Sequence, residues 1–207
     1  MSVYAAGATT PSLTLSQGLS EPASVVVDGQ GNVWVTNEGN QPSIVVYPPG
    51  QTTPSQTITG NLIQMPQQLT FDAAGDAFFA DNIAGVSEIL AGTTQATSLN
   101  LGKLLHNATN GIAIDPRNGT LFVSFGFFHN QLNAYGAGHT RPKRILTAPT
   151  ADSLAVATFL GHEDLFVPGS QTNTVSIFHA GANSAFASFS IATQYTRSVA
   201  FKPAGVP

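Results

Sequence analysis

Side chains able to do chemistry are sparse in this chain. It has no cysteine, so neither a disulfide framework nor a thiolate metal site can form. Five histidines (His106, His129, His139, His162 and His179) show no short-range ligand spacing, although His106 and His129 fall in neighbouring loops. Acids recur in one setting. Asp28, Asp72 and Asp115 each follow an apolar run and open a turn: Asp28-Gly29-Gln30-Gly31-Asn32, Asp72-Ala73-Ala74-Gly75-Asp76 and Asp115-Pro116-Arg117-Asn118-Gly119. An Asp there accepts hydrogen bonds from turn amides, and the Gly takes positive φ, so these carboxylates read as structural rather than catalytic. One segment stands apart. Gly126-Phe127-Phe128-His129-Asn130 places two apolar rings beside a histidine. Such rings either stack on sugars, bases or a partner's apolar side chain, or fold back over the adjoining strands.

The elements that position these groups follow a fixed beat. Trp34, Phe78, Phe122 and Phe166 are spaced 44 residues apart, each inside a short apolar run. A second apolar run lies upstream of each aromatic: Val25-Val26-Val27, Leu69-Thr70-Phe71, Ile112-Ala113-Ile114 and Leu154-Ala155-Val156. A third run follows downstream: Ile44 to Tyr47, Val86 to Ile89, Gln131 to Tyr135 and Val175 to Phe178. A glycine comes next each time (Gly50, Gly92, Gly138, Gly181), then a more polar run. The unit is therefore a four-stranded antiparallel meander, with strands a to d in chain order. Apolarity is highest in a and b and falls toward d, as expected where d meets solvent. Repetition at this period predicts an all-β propeller of four-stranded blades.

The expected blades are 23–59, 67–101, 110–147 and 152–191, with partial blades at 1–16 and 197–207, all in a single propeller domain spanning 1–207. The first partial blade copies the c–d part of the next unit: Val3 to Ser12 reads VYAAGATTPS against VYPPGQTTPS at Val46 to Ser55. Four complete blades and two partial ones fit a fragment of a six-bladed ring, which needs about 260 residues at this period, or an incomplete five-bladed ring. Open blade edges would favour self-association. The d-to-a and b-to-c loops lie at one end of such blades, where binding residues concentrate. The candidates there are Phe127, Phe128, His129, His106, Asn82, Tyr195 and Arg197.

The pattern Pro-x-x-Φ-x-Φ-Asp-x-x-Gly-Asn-Φ-aromatic-Val, clearest from Pro22 to Val35, resembles the NHL-type repeat of six-bladed propellers and of secreted bacterial repeat proteins. The resemblance covers nearly the whole chain and implies a propeller that acts outside the cytoplasm. It implies fold more than function, since one propeller hosts binders, scaffolds and enzymes. A shorter segment, Asn110-Gly111-Ile112-Ala113-Ile114-Asp115-Pro116, is similar to the gluconolactonase (senescence-marker) family. That similarity implies a divalent-metal site of Glu21, Asn110 and Asp152, each at the entry to a strand a. Hard oxygen ligands of this kind suit calcium or magnesium.

Composition narrows the partners. Only 9% of residues are charged, and the sequence pI is near 5.6, which argues against nucleic acid. All seven Lys and Arg residues lie at or after Lys103, whereas seven of the eleven acids precede it. The densest basic stretch, Arg141 to Arg144, is expected on a solvated outer strand. The sequence shows no signal peptide and no apolar run long enough to span a membrane. The reading is a non-catalytic binding scaffold without a cofactor, with a protein or glycan partner. The alternative is a calcium- or magnesium-dependent lactonase-like hydrolase.

Overall fold

A computed structural model describes residues 1–101, 109–125, 131–149, 151–159, 162–179 and 181–191. Among them every regular element is a strand, and none is helical. The chain divides into two compact units, Met1–Ser98 and Leu99–Pro207.

The first unit opens with a two-stranded sheet of β1 (Ser2–Val3) and β2 (Leu13–Thr14). Two four-stranded sheets follow. One contains β3 (Pro22–Val27), β4 (Val33–Asn37), β5 (Ser43–Tyr47) and β6 (Gln56–Ile58), and the other β7 (Pro66–Phe71), β8 (Ala77–Asp81), β9 (Gly85–Ile89) and β10 (Ala96–Ser98). In the second unit, β11 (Thr109–Ile114), β12 (Leu121–Phe125), β13 (Gln131–Tyr135) and β14 (Arg144–Thr147) form the third blade. The fourth blade is β15 (Ala155–Phe159), β16 (His162–Pro168), β17 (Thr174–His179) and β18 (Ala187–Ser190). Each blade is a meander in which strands adjacent in sequence pair antiparallel.

The four beat aromatics occupy equivalent places. Trp34 faces Val26 and Val46 across the ladder, Phe78 faces Thr70 and Glu88, Phe122 faces Ala113 and Ala134, and Phe166 faces Ala155 and Ile177. The turns obey the chemistry read from sequence. Gly50, Gly92, Gly138 and Gly181 after strand c all have φ between +70° and +91°. A side chain would be strained there whatever the space around it.

Cores form between neighbouring blades inside each unit. Ile44, Val46 and Ile58 of the first blade pack on Leu69, Phe79 and Ile89 of the second. Phe122, Leu132 and Leu146 of the third pack on Leu154, Leu165 and Phe178 of the fourth. The outer strands β6, β10, β14 and β18 are the most exposed of their blades apart from β3, as their polarity predicts. One departure concerns strand a. β11 is buried along its whole length, but in β3 every residue except Ser24 and Val26 is exposed, and β5 is the most buried strand of that blade. Its neighbour on one side, the β1–β2 pair, reaches over Val35, Val45 and Tyr47 and leaves Val25 and Val27 open.

Candidate binding face and the oxygen pair of the second unit

The loop-bearing end of the first two blades is held by side chains three residues after the beat aromatic. Asn37, closing β4, accepts the backbone N–H groups of Ser20 (2.8 Å) and Glu21 (3.0 Å) with Oδ1. Asp81, closing β8, accepts those of Gln64 and Met65 at 2.8 Å with Oδ2. Its Oδ1 accepts from Ile83 at 2.9 Å and Ala84 at 2.8 Å. One fully buried carboxylate thus ties together the d–a and b–c loops of its blade. The bare amides in both loops lack strand partners, so a buried acceptor at this point satisfies groups that would otherwise be orphaned.

Around this anchor the second blade displays Met65 and Ile83, 39% and 60% exposed, with Asn82 between them in space. The Asn82 backbone N–H donates to the Met65 carbonyl at 3.0 Å, and its Nδ2 lies 3.8 Å from the Met65 sulfur.

In the second unit, two of the expected metal ligands meet. Asn110 Nδ2 donates to Asp152 Oδ1 at 3.0 Å. Asn110 is 4% exposed, and among the described residues its Oδ1 has no hydrogen-bond partner, nor does Oγ of the adjoining buried Ser153. Gly111 permits the approach. A Cβ there would lie 2.6 Å from Ser124 Oγ and 3.0 Å from the Ser153 backbone. The Asn-Gly pair therefore has a packing reason as well as a chemical one. Glu21 belongs to the first unit, with an exposed side chain, and its carbonyl accepts the Glu38 N–H at 2.8 Å. Among the described residues no group of three His, Cys, Asp or Glu side chains is arranged to hold a metal.

The turn acids are acceptors, as read from sequence. Asp28 accepts the Gln30 and Asn32 amides with Oδ1, and the Asn32 side chain and Trp34 indole N–H with Oδ2, all at 2.8–2.9 Å. Burial pushes the Asp28 carboxyl up, but the four hydrogen bonds outweigh it and hold the group below its ordinary value of 3.8. Asp72 and Asp115 make the corresponding bonds to Ala74, Asp76, Arg117 and Asn118. Tyr47 and Tyr135, both buried at the end of strand c, have hydroxyls pushed above 10.0 by burial.

Of the other sequence candidates, His106, Phe127, Phe128, His129, Tyr195 and Arg197 lie outside the described residues. Sequence reading missed the hydroxyls two positions after the aromatic. Thr36 accepts the Ser24 N–H at 2.9 Å and donates to the Gln67 carbonyl at 2.6 Å. Ser124 accepts the Gly111 N–H at 2.9 Å and donates to the Ala151 carbonyl at 2.8 Å. Each hydroxyl clasps its own strand a and the entry of the next blade. The signal was present, since Thr36 and Ser124 hold the same place in alternate units, where Ala80 and Pro168 stand in the others. The basic stretch is not simply solvated either. Arg144 donates to the Ala182 carbonyl at 2.8 Å. Outside that stretch, Arg117 of the Asp115 turn pairs with Glu163 at 3.0 Å.

Meanders of this kind, packed face to face on one another, define the β-propeller class. Comparison with known proteins agrees on that fold. The chain is similar in structure to hydrazine synthase from Kuenenia stuttgartiensis, with a TM-score of 0.64 at 12% identity, covering 91% of this chain and 53% of that one. This chain thus spans about half the length of that one, and identity so low is a likeness of fold alone. No family profile and no curated protein matches the sequence.

Proposed function

We propose that this chain is a non-catalytic, NHL-like binding scaffold acting outside the cytoplasm, engaging a protein or glycan through the loop-bearing end of its blades. The observation that supports this reading is the division of labour around Asp81. The buried polar groups at that end hold loop amides, while Met65 and Ile83 are displayed to solvent beside Asn82. A rigid platform with exposed apolar groups suits recognition. A photo-crosslinking residue at position 83 should trap a partner in extracts of the source cells. The same residue at Ala73, exposed in the opposite turn of that blade, should not. Equal labelling at both positions, or none, would set the reading aside, as would a glycan array and extract both without a hit.

A second reading rests on the Asn110–Asp152 pair. In a lactonase-like hydrolase, Asn110 and Asp152 would contribute oxygen ligands to calcium or magnesium. The ion would polarise a lactone carbonyl. The buried Oδ1 of Asn110, without a partner among the described residues, is an oxygen donor of the right kind. Calorimetric titration with calcium should then give binding heat in the wild type and lose it in Asp152→Ala. No heat at millimolar calcium would leave the scaffold reading alone.

A further inference from the structure

The a–b and c–d turns of each blade lie at the end away from the loop-bearing one. In the first unit a groove of about 640 Å³ opens there between the first two blades. Trp34, Val46, Phe71 and Ile89 form its floor, and the Asp28 and Asp72 turns, with Ser55 and Gln56, form its walls. Small-molecule sites have volumes of about 300–1,000 Å³, so the size fits that class. Trp34 and Phe71 meet edge to face with ring centroids 5.4 Å apart, and both are only half-buried.

Two comparisons within the chain point to the ligand. The first concerns one carboxylate oxygen. Oδ1 of Asp72 accepts the Ala74 and Asp76 amides, as Oδ1 of Asp28 accepts those of Gln30 and Asn32. Oδ2 of Asp28 takes the Asn32 side chain and the Trp34 indole. At Asp72 those donors are replaced by Asp76 and Phe78, which have no side-chain N–H. Asp72 Oδ2 takes no hydrogen bond among the described residues. The second concerns the matching seam of the second unit. There Arg117, two residues after Asp115, pairs with Glu163 of the fourth blade, and Arg144, first in β14, donates to the Ala182 carbonyl. Phe122, in the place of Trp34, is 5% exposed. Gln30 and Gln56 hold the places of these arginines in the first blade. The first unit has seven acids and no Lys or Arg, so its seam lacks the guanidinium groups that its counterpart draws from its own chain.

We propose that this groove binds a small guanidinium compound that carries no carboxylate, of the agmatine type. Its N–H groups donate to Asp72 Oδ2, and its planar cation rests on the Trp34 ring. Guanidinium suits the place better than ammonium, because it combines several fixed donors with a flat face that stacks. Arginine itself brings a carboxylate, which an acidic groove disfavours. The occupant is a small molecule, so Ala73 on the rim still meets no protein.

Trp34 is the chain's only tryptophan, so its fluorescence reports the groove directly. Titration of the full chain with agmatine at about 150 mM salt, where exposed charges are screened, should give a saturable change. Cadaverine, a diamine without the guanidinium plane, and arginine should each bind about tenfold more weakly. Asp72→Asn should weaken agmatine binding about tenfold and leave the thermal melt unchanged, because its amide oxygen still accepts the two turn amides. A second variant, Gln30→Arg with Gln56→Arg, places the second unit's arginines in the groove and should weaken binding as well. No saturable change, cadaverine binding as tightly as agmatine, or wild-type binding in either variant that folds would overturn the proposal. So would tighter binding of an end-blocked arginine peptide than of agmatine, because a partner protein's side chain would then be the occupant.

Discussion

Asp81 shows how a single side chain can be mistaken for chemistry. It is an acid at the loop-bearing end, yet both oxygens are occupied by loop amides. Replacing it by Ala would strand four buried or half-buried N–H groups. A loss of about 3 kcal/mol is expected, the scale of losing charge-assisted hydrogen bonds to a buried group. Asp81→Asn, which keeps one acceptor oxygen, should lose less. Thermal melts of both variants check the order, and equal melting would mean the loops are held elsewhere. Asp28 makes a related case with a pH signature. Its carboxyl is held below 3.8 in the folded chain, so its contribution is present above the unfolded value and fades as pH falls through the lowered one. Denaturant midpoints between pH 5 and pH 2 should therefore fall more steeply for the wild type than for Asp28→Asn. Both roles were half legible. Asp28 lies in a turn motif that names its partners, whereas Asp81 contacts residues 16 and 17 positions upstream, a pairing that no local pattern displays.

At the scale of the strand and turn, repetition did most of the work. A beat of 44 residues displayed the order of strands because each b strand sets its aromatic opposite strands a and c of its own blade. What the pattern could not give was the link between blades. Thr36 and Ser124 look like ordinary strand hydroxyls, and their role appears only when the next blade's carbonyl is brought within 2.6–2.8 Å. Substituting Ser124 by Ala leaves the buried Gly111 N–H and Ala151 carbonyl short of a partner, at a cost of about 2 kcal/mol. Substituting Gly111 by Ala should cost about as much for a different reason, since the new methyl meets Ser124 and the Ser153 backbone. If the two act at one contact, the double variant should lose less than the sum, because removing the hydroxyl relieves part of the clash. Urea melts of the three variants decide it, and strict additivity would separate the two effects. The candidate site was less legible than the fold. Asn110 and Asp152 were paired through a resemblance, and 42 residues separate them in sequence.

Across the whole molecule, the blades share one plan, but burial is not uniform, and stability should follow burial rather than sequence similarity. Within the first unit β5 is wholly buried, β6 is mostly exposed, and the β3 side chains face solvent at four of six positions. Within the second unit β11, β12 and β13 are almost wholly buried, while β18 is exposed along three of its four residues. Local opening costs least where few apolar contacts must be broken, so amide exchange should rank the strands accordingly. The expected order is slow exchange in β5, β8, β12 and β13 and fast exchange in β6, β10 and β18. The sharper comparison is between two strands of the same rank in their blades. β3 and β11 are both strand a, with similar ladders to strand b and a bulge near the entry. If position in the repeat governed stability, their amides would exchange alike. If cover governs it, β3 should exchange at least about tenfold faster, because that factor needs only about 1.4 kcal/mol of lost burial, less than one apolar side chain supplies. Native-state exchange followed by mass spectrometry resolves both segments in one sample. Equal rates in β3 and β11 would show that the ladder, rather than the packing over it, sets the local stability of these blades.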